Sequence, residues 1–264
     1  RKNYLVYTMM YLFENYRVSK EKYLGFLQRL ADRYFYHVYL DADSLSERNL
    51  PKPNAFDEAL LQNGVLNDKG IDWERKDYKA VFASIYKSGS ADIPLFVFNY
   101  TDYKIWKKYA DTLRGRNSKK GSKERNEFFE ILGCSDFELD SFNSFYFSRT
   151  RKSLEHYYPQ AKAGANKQLS EKEINCFGNF AMIGAEANSS GSNWDPKTKL
   201  DHYSDGKSNP ISVASLKFQI MMQNCKDNDL AMLNGELNRE HGMEWNAEDM
   251  KVHQQKMLDI IIKR

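Results

Sequence analysis

Apolar residues recur every three to four positions at the start of the chain, which is the spacing of helices with one buried face. Residues 4–13 follow this pattern, and it continues through residues 23–30. We therefore predict two packed helices in this part of the chain. Residues 41–53 contain several Asp and Ser residues, an Asn and two prolines, a composition typical of a loop.

Two more helices are predicted over residues 54–66 and 95–113. The second begins after Pro94 and carries aromatic side chains on one side and lysines on the other. It leads into residues 114–123, where Arg, Lys, Gly and Ser alternate. This composition predicts a flexible basic loop.

The pattern changes near residue 140. Residues 142–148 and 180–183 are short runs rich in aromatic and apolar side chains, which favours two strands. The helical period returns from residue 211 onward. The predicted fold class is therefore α+β and mainly helical, with a helical domain over residues 1–140. A second domain, residues 141–264, would hold a small strand-containing core wrapped by C-terminal helices.

Composition limits the class of protein further. The 264 residues, 41% hydrophobic and 28% charged, suffice for a folded chain with a large core. No apolar run reaches the ~18 residues of a membrane span, and no signal peptide is apparent, so we expect a soluble, cytoplasmic protein without a membrane partner. Because Arg1 lies inside a helical pattern without a preceding Met, we expect a piece of a longer protein. The three cysteines lack a Cys-x-x-Cys pair, which argues against a disulfide framework or a cysteine zinc site.

The formal net charge of +3 says little, but its distribution is uneven. Residues 101–126 carry nine Lys or Arg against three Asp or Glu. The basic loop is therefore a candidate for contacting DNA phosphates, and the alternative is a solvated connection. A phosphate-binding nucleotide loop is excluded, because Ser122-Lys123 follows Gly121 where Lys-Ser or Lys-Thr is required. The candidate DNA-contacting residues of this loop are Arg114, Arg116, Lys119, Lys120 and Lys123.

The chemistry-bearing residues lie in the second half of the chain. Glu155 and His156 are adjacent at the expected exit of a strand, with Pro159 shortly after. Phosphodiester hydrolysis with one metal ion needs such a pair, since a carboxylate can bind the ion while a neutral imidazole accepts a proton from water. Asparagine oxygens further along, at Asn179 and Asn188, suit loop bracing and a hard cation such as Mg²⁺.

Taken in order, these residues resemble the His-Asn-His nuclease motif, the ββα-metal fold. More narrowly, they resemble the C-terminal domain of GmrSD-type modification-dependent restriction endonucleases and related phage-defence proteins. The clear resemblance covers about residues 143–203. Its carriers are Glu155-His156, Pro159-Gln160, Gly178-Asn179, Asn188-Ser189, Ser192-Asn193 and Lys199.

The resemblance implies a DNA endonuclease that uses Mg²⁺ or Mn²⁺ and works beside an upstream nucleotide-hydrolysing domain. His156 would be the general base, and Glu155 and Asn188 metal ligands. Asn179 would brace the loop that bears the histidine, and Lys199 would offset charge on the phosphate. Asn193, with Arg151 and Lys152, joins the predicted DNA-contacting set. The long insertion over residues 161–175 departs from the family pattern.

Two alternatives remain open from the sequence. The first is a nucleic-acid-binding or docking scaffold without turnover, and the second is a metal-dependent ribonuclease. Among the other histidines, His37 is predicted to be packed, whereas His241 and His253 are assigned to the surface.

Overall fold

The computed structural model describes residues 3–67, 69, 71, 76–87, 89, 92–115, 119–147, 151–162, 169–184, 193–204 and 215–262. These residues are mainly helical, with 61% helix and 7% strand, which confirms the coarse α+β prediction. The chain divides into two compact units. Unit 1 comprises Arg1–Lys87 and Asp92–Val97, and unit 2 comprises Ser88–Ala91 and Phe98–Arg264. Within the described ranges, no helix is both long and apolar enough to cross a membrane.

Unit 1 begins with the two predicted helices. Tyr11 of the first stacks on Phe26 of the second, with ring centroids 4.0 Å apart, and the Ser19 hydroxyl caps the second helix by accepting from the Lys22 amide. These contacts confirm the predicted helical pair. The elements of unit 1 are α1 (Asn3–Glu14), α2 (Lys20–Tyr34), a π-helical turn (Phe35–Tyr39), a 3₁₀ turn (Ala42–Ser44), α3 (Ala55–Leu60), β1 (Leu61–Gln62), β2 (Val65–Leu66) and α4 (Tyr78–Ile85).

The helix predicted over residues 54–66 is wrong in its second half. Helix α3 ends at Leu60, and β1 and β2 then form a small antiparallel hairpin. Asn63 and Gly64, between the two strands, both have positive φ. An Asn-Gly pair adopts this left-handed turn readily, so local turn chemistry overrides the helical period.

Among its described residues, unit 2 contains one two-stranded antiparallel sheet together with helices. Helix α5 (Leu95–Thr112) contributes its residues up to Val97 to unit 1 and the remainder to unit 2, and its bounds confirm the prediction over residues 95–113. The further elements are α6 (Lys123–Leu132), α7 (Asp140–Asn143), β3 (Arg151–His156), α8 (Glu171–Ile174), a 3₁₀ turn (Phe177–Asn179), β4 (Phe180–Gly184), α9 (Pro196–Ser204), α10 (Leu216–Leu233) and α11 (Ala247–Ile261).

The strand predicted over residues 142–148 is wrong for its described part. Phe142 lies in α7 and is fully buried. It packs against Phe128, Phe137 and Tyr109, with ring centroids 5.2 to 5.5 Å apart. Phe142 therefore fills a core between helices, whereas Tyr146 and Phe147 are exposed, and the strand begins later, at Arg151. The second predicted strand, residues 180–183, is confirmed as β4.

The boundary predicted near residue 140 lies within unit 2. Helix α6 precedes this position and packs against the C-terminal helix α11. Helix α7 begins at this position and packs against α10. Cys134, after α6, is followed by Ser135, whose amide and hydroxyl both donate to Asp227 of α10. Tertiary contacts thus join residues on both sides of the predicted boundary.

Candidate functional site

His156 is the last residue of β3. It pairs with Phe180, the first residue of β4, and its ring lies 3.9 Å from the Phe180 ring between centroids. Because successive side chains of a strand point to opposite faces, Glu155 and His156 face away from each other. The two groups predicted to act together therefore lie on opposite faces of the strand pair.

Asn175 holds the His156 ring in place, and sequence reasoning missed it. Ser170 and Glu173 form a capping box that starts α8, and Asn175 is the residue that ends this short helix. Its Oδ1 atom lies 3.1 Å from Nε2 of His156. With this oxygen as the acceptor, the proton resides on Nε2, and Nδ1 keeps the lone pair that a general base needs.

Burial also keeps His156 neutral. Desolvation lowers the pKa of the imidazole, the hydrogen bond to Asn175 opposes this shift, and the positive charge of Lys199 adds to it. An imidazole that is neutral near pH 7 is the form that accepts a proton from water.

Asn179 fixes the chain that follows His156. Its fully buried side chain accepts from the Tyr158 amide (2.8 Å) and the Trp245 indole (3.2 Å), and it donates to the carbonyls of Tyr158 (3.0 Å) and Ile174 (2.9 Å). All four sites of the amide are therefore used. One side chain ties together the exit of β3, the end of α8 and the segment just before α11.

Gly178, beside Asn179, lies directly against α11. A Cβ atom at this position would overlap the carbonyl oxygen of Met250. The Gly178 amide donates to Oε1 of Gln254 at 3.3 Å. Only glycine permits this close approach of the 3₁₀ turn to the last helix.

Lys199 of α9 is completely buried, and its side chain points to the end of β3. Its ammonium donates to the carbonyls of His156 and Tyr157 and lies 2.5 Å from Oε1 of Glu155. Burial raises the pKa of Glu155 and lowers the pKa of Lys199, while their mutual attraction opposes both shifts. This inward placement differs from the phosphate-facing role predicted for Lys199.

A second buried lysine, Lys217 of α10, binds the 3₁₀ turn and the first residue of β4. Its ammonium donates to the carbonyls of Phe177 (2.9 Å) and Phe180, and its backbone amide donates to Asp102. Burial lowers the pKa of Lys217 to about 7. Sequence reasoning missed this residue, although its position between Leu216 and Phe218 on a helix with a buried side is a signal for burial.

The predicted metal ligands fit an ion only in part. Glu155 is 3% exposed, and its carboxylate faces Lys199, so a cation bound there would share the carboxylate with an ammonium. Asn188 lies outside the described residues. Within the part of the chain that the structure describes, no three His, Cys, Asp or Glu side chains come together as a metal-binding group.

The predicted DNA-contacting residues are mostly exposed. Lys119, Lys120 and Lys123 lie in and just before the first turn of α6, where Lys123 is 3.7 Å from Glu127. The Arg114 guanidinium lies over the Trp106 ring. Exposed positions are also taken by Lys152 and Asn193, whereas Arg116 and the Arg151 side chain lie outside the described residues.

The surface assignment of His253 is wrong. This side chain of α11 is 2% exposed, packs edge-on against Trp245, and has no hydrogen-bond partner for either ring nitrogen among the described residues. Burial holds its pKa well below the usual value. His241, by contrast, is exposed and contacts Glu244 at 3.1 Å.

Comparison with known proteins yields no match: neither a protein-family model, nor a curated protein, nor a solved structure is similar to this chain. The resemblance to the nuclease family therefore stays a prediction.

Proposed function

We propose that this protein is a metal-dependent DNA endonuclease module of a restriction or phage-defence system. The observation that carries the proposal is the end of β3, residues 156–158, together with the 3₁₀ turn that is hydrogen-bonded to it (Phe177–Asn179), named here the His156 turn. A half-buried, neutral imidazole ends a strand, its Nε2 atom contacts Asn175, and the chain after it is fixed by Asn179. A histidine that is fixed in this way suits the role of a general base in phosphodiester hydrolysis.

In this proposal each residue of the turn has a separate task. His156 accepts the proton of the attacking water at Nδ1, since Nε2 is directed at Asn175. Asn179 and Lys199 hold the carbonyl groups of residues 156–158, and Lys217 holds those of Phe177 and Phe180, so the ring does not have to reorganise during the reaction.

The proposed cofactor is Mg²⁺ or Mn²⁺, which supplies a Lewis acid for the charge that grows on the phosphate. The predicted ligands are Glu155 and Asn188. Glu155 lies on the face of the strand pair opposite His156, so an ion that acts together with His156 would be held by Asn188. Because the Glu155 carboxylate lies against Lys199, we expect the affinity for the metal to depend on Lys199 as well. Titration with the metal measures this affinity.

The basic segment before and within the first turn of α6 would supply affinity for duplex DNA. Exposed lysines such as Lys119 and Lys120 give binding that depends on salt and little on sequence, because each neutralised phosphate releases counterions.

A plasmid assay tests the enzymatic part. Supercoiled plasmid is incubated with the wild type, His156→Ala and, as a matched control, the exposed His241→Ala, with Mg²⁺ or Mn²⁺ and with a chelator. We expect metal-dependent nicking by the wild type and by the His241 variant, and none by His156→Ala. Nicking that survives in His156→Ala refutes the proposed base.

A binding assay tests the basic segment separately. Replacing Lys119, Lys120 and Lys123 with alanine should reduce the salt dependence of DNA affinity by about one unit of slope for each phosphate that the variant no longer neutralises. The control replaces three exposed lysines of unit 1, Lys20, Lys22 and Lys52. Equal slopes for the two triple variants would identify the basic segment as a solvated connection.

One observation favours a second candidate, a nucleic-acid-binding scaffold without turnover. The Glu155 carboxylate already has a cationic partner inside the protein, in Lys199. Salt-sensitive DNA binding by a wild type that cleaves neither plasmid nor RNA at any metal concentration would select this candidate.

A further inference from the structure

Helix α1 has two apolar faces, and only one of them is buried. Tyr7, Thr8 and Tyr11 point into unit 1. On the opposite side of the helix, apolar residues expose between 37% and 89% of their surface to solvent. These residues, named here the outer face, are Leu5, Val6, Met9, Leu12, Phe13 and Tyr16, the last of which follows the helix.

The outer face is self-complementary. At 100° per residue, Met9 lies at its centre, and the pairs Leu5/Phe13 and Val6/Leu12 are placed symmetrically about it. A second copy of α1 running antiparallel would therefore set Met9 against Met9, with Leu5 at the level of Phe13 of the other copy and Val6 at the level of Leu12. Glu14 is the single charged residue in positions 3–16, and it lies off this face, so two copies meet without charge repulsion.

The exposed area reaches the size of a specific interface. Phe13 is 89% and Tyr16 is 79% exposed, and an aromatic side chain offers roughly 200 Å². With roughly 100 Å² for each aliphatic side chain, the outer face amounts to roughly 500 Å² per copy. A pair that covered all of this area would bury roughly 1,000 Å², the threshold for a biological interface. An apolar patch of this size matches the largest one on a typical monomeric protein, which is often functional.

We propose that the outer face of α1 binds the outer face of a second copy of this chain, giving a two-fold symmetric dimer centred on Met9. Two-fold dimers with the same patch on both subunits are the commonest protein oligomers. The antiparallel arrangement also opposes the two helix dipoles favourably. This inference goes beyond the proposed function and does not depend on it.

Phe13 is the expected anchor of the dimer. In the register centred on Met9, Phe13 of the second copy lies at the level of Leu5. Phe13 has the largest exposed fraction of the outer face, 89%, and hot spots are large side chains that become fully desolvated in the complex.

Cysteine cross-linking tests the register. A cysteine at the symmetry axis meets its own copy, so Met9→Cys should form an intermolecular disulfide under mild oxidation. Leu233→Cys, at an equally exposed apolar position of unit 2 (77%), is the matched control and should not. The wild type, with its three free cysteines, gives the background. Cross-linking of Leu233→Cys equal to that of Met9→Cys overturns the proposal.

Sedimentation over a wide range of protein concentration tests the dimer itself. We expect concentration-dependent association of the wild type and a dissociation constant raised at least about tenfold in Phe13→Glu, with Leu233→Glu unchanged. Circular dichroism checks that the variants fold, which is expected because both positions are exposed. A wild type that stays monomeric at every concentration, or a dimer indifferent to Phe13→Glu, overturns the proposal.

Discussion

Removing the Asn179 side chain should destabilise unit 2 more than any ordinary asparagine replacement would. The buried amide makes four hydrogen bonds, to the amide and carbonyl of Tyr158, the carbonyl of Ile174 and the indole of Trp245. Each partner is itself nearly inaccessible to solvent, at 2% exposure or less for its residue. At ~1 kcal/mol for each hydrogen bond removed, Asn179→Ala should lower the free energy of unfolding by about 4 kcal/mol. Asn179→Asp should cost at least as much, because a buried carboxylate would face two carbonyls.

Urea unfolding followed by circular dichroism measures this change. The matched control is Asn228→Ala, since the Asn228 amide donates one hydrogen bond, to the Glu244 carbonyl, and its removal should cost about 1 kcal/mol. The midpoint should fall with little change in the urea slope. If Asn179→Ala costs no more than Asn228→Ala, then the four hydrogen bonds do not hold the turn, and the argument for preorganisation of His156 fails.

Three further predictions concern buried groups of unit 2. Lys199→Met should lower the free energy of unfolding by about 3 kcal/mol, because it leaves the Glu155 carboxylate buried without its cation. In a double-mutant cycle measured by urea unfolding, adding Glu155→Gln should recover part of this stability. Additive effects of the two substitutions would contradict the pairing. Because the folded-state pKa of His253 is depressed, the unfolded chain binds a proton that the native chain does not as pH falls below 6.5. The free energy of unfolding should therefore drop by about 1 kcal/mol more between pH 6.5 and 5.5 in the wild type than in His253→Phe, and equal drops would refute this. In Asn175→Ala the neutral His156 ring should shift towards the Nδ1-protonated tautomer, measured by ¹⁵N NMR, and an unchanged tautomer ratio would remove Asn175 from its positioning role.

Periodicity predicted the helices of this fold better than its strands. The helical pair α1 and α2 and the bounds of α5 follow from apolar spacing alone. The β1–β2 hairpin depends on one Asn-Gly pair. A search for helical periodicity over a window as long as a helix does not detect so short a signal. Phe142 has high strand propensity, but neighbouring aromatic side chains bury it within a helix, so tertiary packing decided its conformation.

The candidate site could be predicted from the sequence only in part. The His156 and Asn179 motif positions were identified, and the buried position of His253 could have been, because Met250, His253 and Met257 recur at the spacing of one helix face. The partners of Glu155 and His156 could not. Lys199, 43 residues from His156, was predicted to act on the phosphate. No local pattern specifies that it pairs with Glu155, or that Asn175, 19 residues from His156, contacts the His156 ring.

The contact between Gly178 and α11 sets the order in which this region can assemble during synthesis. The amide of Gly178 finds its acceptor 76 residues later, in Gln254. A ribosome that adds roughly 5–20 residues per second needs several seconds to supply that acceptor. Until then the β3–β4 hairpin and its histidine lack the helix against which they close, so a nascent chain acquires the finished turn only after α11 has been made.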